Sequence, residues 1–215
     1  MWRKLHIDAA DEADRALGKI FWGTLLCVLD LSISSESNGF GFKFDFLNDV
    51  VGAVLIASGI SELRPVLKNP DYSAIIGFCY PPALLGIISA ILEHFIVPWP
   101  APLKLVAVGF SFWCSVAIFR FCLAMQLLCE AASLLDAAAS WRFSRSFYLV
   151  LVLIPKTFFE FWNSLAIVTG QSWNVDIGPL AFAFLILFLP IIHILLSIAR
   201  TRTGLVSNAE VGRLA

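Results

Sequence analysis

Apolar residues gather in six stretches along the chain, with polar residues between them. The stretches cover about 19–33, 49–66, 72–96, 104–135, 146–169 and 177–199. Continuous apolar runs near 20 residues suit a helix crossing a hydrocarbon core of roughly 30 Å. They are unbroken rather than alternating, which argues against a β-barrel. The pattern predicts an all-α polytopic membrane helix bundle of six transmembrane helices. The first two spans are short. The second is rich in small residues, Gly52, Ala53, Ala57, Ser58 and Gly59. Small residues one or two turns apart let membrane helices approach closely.

Ahead of the first span, Trp2, Leu5, Ala9, Ala13, Leu17 and Ile20 recur at helical spacing, with charged residues on the other face. This predicts an N-terminal amphipathic helix over 1–18, cytoplasmic or interfacial, leading into a membrane domain over 19–199. Before the second span, Phe40, Phe42, Phe44 and Phe46 alternate with Gly41, Lys43 and Asp45. Such alternation predicts an extended, aromatic-rich approach to the membrane. Asn48 and Asp49 are placed to cap the second span and to complement its dipole at an outer lip. Pro81-Pro82, Pro155 and Pro190 fall inside spans and predict kinks or breaks. The segment 136–145 reads as a polar connection. The tail, 200–215, reads as disordered, exposed and cytoplasmic.

Charge sets the orientation. With the amino end inside, eleven of the fifteen lysines and arginines fall on the cytoplasmic side and two on the other, the remaining two being Arg120 and Lys156 within spans. That asymmetry predicts an even number of passes with both termini cytoplasmic, in the inner membrane. Composition agrees: of 215 residues 59% are hydrophobic and 14% charged, with mean hydropathy +0.84. Soluble domains carry about 25% charged residues. A net charge of −1 without a basic block argues against nucleic acid. No removable signal peptide is expected, since acids at Asp8, Asp11, Glu12 and Asp14 precede any apolar core.

Ionisable residues inside hydrocarbon cost about 2.5 to 3.5 kcal/mol each on insertion scales, so each needs a partner or a task. Arg120 and Lys156 lie roughly 15 Å into their spans, counting 1.5 Å per residue. Lys156, Glu160 and Asn163 form one polar stripe at i, i+4, i+7 spacing. Two cations at one depth call for a carboxylate, which predicts a buried Arg120–Glu160–Lys156 cluster facing the bundle interior. It would either fix helix register as an internal salt bridge, or line an anion or proton path or a binding pocket. His94 and His193 fall at different depths, which sets haem ligation aside. Glu93-His94 with Asp30 or Asp49 lacks metal-ligand spacing, and interfacial solvation accounts for it better. The five cysteines all lie in apolar runs, as packing residues do. No Walker loop, GxGxxG, HExxH or GxSxG occurs, and no catalytic residue, metal or cofactor is assigned.

Leu29-Asp30-Leu31 and the run Phe44-Asp45-Phe46-Leu47-Asn48-Asp49-Val50-Val51-Gly52 carry a resemblance. Over residues 29–63 the chain resembles a set of small, uncharacterised prokaryotic multi-pass membrane proteins. Their pattern is a Phe-Asp-x-Leu-Pro-Asp-Phe-x-Gly-like segment opening a short second span. Asn48 stands where the pattern has proline, and both residue types suit a helix start. The resemblance implies the six-span plan and no activity. Two functions remain open. One is a non-enzymatic structural or accessory subunit, packing in the lipid bilayer against further copies or other membrane subunits. The other is a small solute or ion transporter or channel using Arg120, Glu160 and Lys156. An enzyme comes third.

Overall fold

A computed structural model describes residues 7–28, 32–37, 40–45, 49–92, 95–96, 99–170 and 181–214. Seven helices dominate: α1 (Ile7–Val28), α2 (Asp49–Leu63), α3 (Pro70–Leu92), α4 (Ala101–Ala131), α5 (Leu135–Tyr148), α6 (Ile154–Thr169) and α7 (Ala181–Leu214). Among the described residues, four helical segments are long and apolar enough to cross a membrane: Pro70–Leu92, Ala101–Ala131, Leu135–Thr169 and Phe188–Asn208.

The other two expected spans take a different form. No break separates an amphipathic amino-terminal helix from a first span, because both belong to α1. Its buried Ala13, Ala16, Leu17 and Ile20 recur at i, i+3, i+4 and i+7, so one stripe serves both parts. α2 has 15 residues, about 22 Å of helix and short of a full bilayer core. It packs antiparallel on α1 through its small residues. A Cβ built on Gly59 would sit 2.6 Å from the Ala16 carbonyl oxygen, and one on Gly52 would sit 2.8 Å from that of Gly23. Only glycine permits such an approach at either position.

The extended stretch is a hairpin. β1 (Ser32–Ser37) pairs antiparallel with β2 (Phe40–Asp45), Ser32 opposite Asp45 and Ser37 opposite Phe40. β3 (Phe95–Ile96), in the α3–α4 connection, adds to β2 with Phe42 opposite Phe95. The sheet gathers the connections at one end of the bundle, and the α2–α3 and α4–α5 turns define the opposite, turn end. Asn48 lies outside the described residues, and Asp49 is the first residue of α2.

Capping is explicit at the start of α3. The Asn69 Oδ1 accepts hydrogen bonds from the amides of Asp71 (2.8 Å) and Tyr72 (3.2 Å). Pro70 occupies the first helical position, where a missing amide costs nothing. α3 then continues through Pro81 and Pro82 without a break. Pro155 does disturb its helix. A π-helical turn, Leu149–Leu153, precedes it, where the proline lacks a donor and its ring crowds the carbonyl four residues back.

Two expected irregular segments are helical. The polar stretch 136–145 belongs to α5. α7 runs past the expected tail boundary to Leu214, with Thr201 and Leu205 buried. Contacts at the turn end account for this. The side chain of Asn208 donates to the Ala132 carbonyl at 3.1 Å, and Gly204 lies against Leu134.

The core is one-sided. Leu17, Leu63, Tyr72, Ile76, Met125, Leu128, Trp141 and Ile198 are fully buried, and all lie toward the turn end. Toward the sheet end the apolar side chains of Leu84, Ile88, Val106, Phe158, Phe161 and Val168 stay exposed.

Candidate functional site

The polar stripe on α6 is the one the sequence singled out. Depth can be transferred to it by contact. The Cys79 thiol, midway along α3, reaches the Ala117 carbonyl at 3.3 Å. Cys114 lies one turn away on α4 and is an electrostatic neighbour of both Lys156 and Glu160. Lys156 and Glu160 therefore sit at the middle of the α3 span. Lys156 Nζ lies 3.6 Å from Glu160 Oε1, with side-chain exposures of 35% and 14%. The second carboxylate oxygen, Oε2, is buried without a hydrogen-bond partner among the described residues. Asn163 is exposed one turn farther along the same face.

Arg120 does not join them. Its guanidinium lies over the Phe78 ring, 4.6 Å from the centroid, a cation–π contact. Among the described residues no ion pair links Arg120 to Glu160. The reason is rotation: positions 114 and 120 are six residues apart, about a third of a turn from one another around α4. Cys114 faces α6 while Arg120 faces α3. Equal depth thus separates into a Lys156–Glu160 pair on one side and Arg120 over Phe78 on another.

A second polar array joins α5 to α7. Ser140, Ser144, Ser197 and Thr201 are buried. Ser144 Oγ lies 2.7 Å from His193 Nδ1 and 2.9 Å from Ser197 Oγ. Ser197 Oγ lies 2.8 Å from Ser140 Oγ. Trp141 Nε1 donates to Thr201 Oγ1 at 2.8 Å. Ser140, Ser144 and His193, Ser197, Thr201 each repeat every four residues, so both helices turn one hydroxyl face to the other. Ser144 pairs with a histidine but is not placed as a nucleophile. It is 0% exposed, and its hydroxyl also reaches the Ser140 carbonyl at 3.1 Å. The seam is an interhelical polar zipper.

The third array lies at the turn end, where α1 meets α2 and α7. Arg202 pairs with Asp14 through Nε–Oδ1 at 2.8 Å and Nη2–Oδ2 at 3.4 Å. Lys19 pairs with Glu62 and donates to Ser58 Oγ at 3.1 Å. A groove of about 730 Å³ opens beside these pairs.

Glu93, His94 and Asp30 lie outside the described residues, and no three metal-ligating side chains converge among the described residues. The apolar helices and their buried polar seams define a membrane protein. No family model, curated protein or solved structure matches the chain.

Proposed function

We propose that this protein is a non-enzymatic subunit of the cytoplasmic membrane that packs against other membrane helices through α6. It crosses six times with both termini cytoplasmic. The lysine and arginine bias fits that plan. The resemblance over 29–63 fits it too.

One observation carries the subunit reading. Lys156, Glu160 and Asn163 form a mid-depth polar stripe on the segment Leu135–Thr169, the least buried of the four membrane-capable segments among the described residues. Glu160 is turned toward α4, but Lys156 is about a third exposed and Asn163 is exposed, and polar groups left facing lipid cost several kcal/mol. Facing a partner helix, the same groups become interhelical glue. The partner we assign is a second copy. A cation, a carboxylate and an amide spaced along one stripe are self-complementary about a two-fold axis, Lys156 toward Glu160 and Asn163 toward Asn163. The exposed Phe159 flanks the stripe and supplies apolar contact.

The test is Asn163→Cys in native membranes, with mild oxidation and mass measurement. A cross-linked species of twice the chain mass is expected. A cross-link to a different protein keeps the subunit reading and removes self-pairing. A residue 163 that stays monomeric and reacts freely with lipid-phase thiol reagents overturns both.

A further inference from the structure

We infer that the groove between α1, α2 and α7 binds the headgroup end of a phospholipid. This stands on the membrane class of the protein and not on the subunit reading.

The groove is graded along α1. Asp11, Asp14, Arg15 and Lys19 line it at one end with Arg202 of α7, and Trp22 with Leu55 of α2 lines the other. Asp14 to Trp22 spans eight residues, about 12 Å along the helix. That matches the order of an amphiphile: charged head, glycerol, then the start of the acyl chains. Arg202 belongs to the last turns of the membrane-capable segment Phe188–Asn208, so the charged end sits at a membrane boundary. Trp22 is 57% exposed, a residue type suited to that level.

Donors for a phosphate remain after the internal pairs are made. Asp14 engages Nε and Nη2 of Arg202, leaving Nη1. The Lys19 ammonium has three donors and gives two, to Ser58 and Glu62. Arg15 is exposed and has no ion pair among the described residues. Asp11 lines the groove one turn before it, and the planar fork of Arg15 suits phosphate oxygens. Gly18 forms the floor. A Cβ there would lie 3.3 Å from Arg202 Cζ, so glycine lets the guanidinium lie across α1.

The test uses the full chain in mild detergent, with native mass spectrometry and dioleoyl phosphatidylglycerol as probe. Dioleoylglycerol and inorganic phosphate are separate arms. One retained phospholipid per chain is expected. Arg15→Gln should weaken retention about tenfold, the loss of one charge-assisted contact. Its melting temperature should not change, since Arg15 is exposed and unpaired. A phosphatidylglycerol with brominated chains should quench a part of the tryptophan fluorescence that Trp22→Phe removes. Equal retention by Arg15→Gln and the parent chain overturns the proposal. So does equal retention of dioleoylglycerol. Inorganic phosphate displacing the lipid at equal concentration assigns the groove to soluble phosphate esters and also overturns it.

Discussion

Trp141 shows what one buried side chain contributes here. It is 0% exposed, stacks edge-on with Phe121 at 5.9 Å, and donates to Thr201 at 2.8 Å. Trp141→Phe keeps an aromatic ring but removes the donor and part of the volume. The expected loss is about 1 to 3 kcal/mol, from one buried hydrogen bond and a small cavity. It should appear as a lower thermal midpoint in detergent. A midpoint equal to the parent chain would mean the α5–α7 seam adds nothing to stability. Legibility at this scale was uneven. Lys156–Glu160 could be read from spacing, because i, i+4 neighbours are set by helix geometry alone. Arg120 could not, because depth along a span carries no information about rotation toward a neighbour. The hydroxyl face of α5 and α7 left a signal, the repeats 140, 144 and 193, 197, 201. It was obscured because 136–145 reads as a polar connection and 200–215 as a loose tail.

Among the elements, α2 is the piece whose packing chemistry reads most directly. Gly52, Ala53, Ala57 and Gly59 are buried, and both glycines lie against α1. Gly59→Val should force the pair apart, at about 1 to 3 kcal/mol, the usual cost of overpacking. Gly77 and Gly86 in α3 provide the control. A Cβ on either meets nothing within 4 Å. Gly77→Ala and Gly86→Ala should leave the fold unchanged or strengthen it by up to about 1 kcal/mol through helix propensity. Thermal unfolding of the three variants side by side checks the contrast, and equal destabilisation would remove the close-approach account. The hairpin was half legible. Phenylalanine alternation marks β2 as extended, and Asn38-Gly39 just ahead of it is a hairpin signal. The third strand has two residues, Phe95–Ile96, too few for any periodicity.

For the whole molecule, the testable quantity is topology. A membrane-impermeant maleimide should label Ser35→Cys only from the non-cytoplasmic side and Ser207→Cys only from the cytoplasmic side. Labelling of both positions from one side would break the six-pass plan. The chain by itself determined that this is a helical membrane protein, because apolar runs near 20 residues have few other stable solutions. It also determined that α2 would pack closely, because small residues on one face leave room for a backbone. Helix period sorts residues onto faces, and that information is local. Which face meets which neighbour depends on elements far apart in the chain, and only the tertiary structure decided it. Packing placed Arg120 on Phe78 rather than Glu160, and aligned His193 and Ser197 with Ser144. It extended α7 along the α4–α5 turn and brought Arg202 across Gly18 to Asp14. Each of these contacts spans tens of residues or more, beyond the reach of any pattern in a single segment.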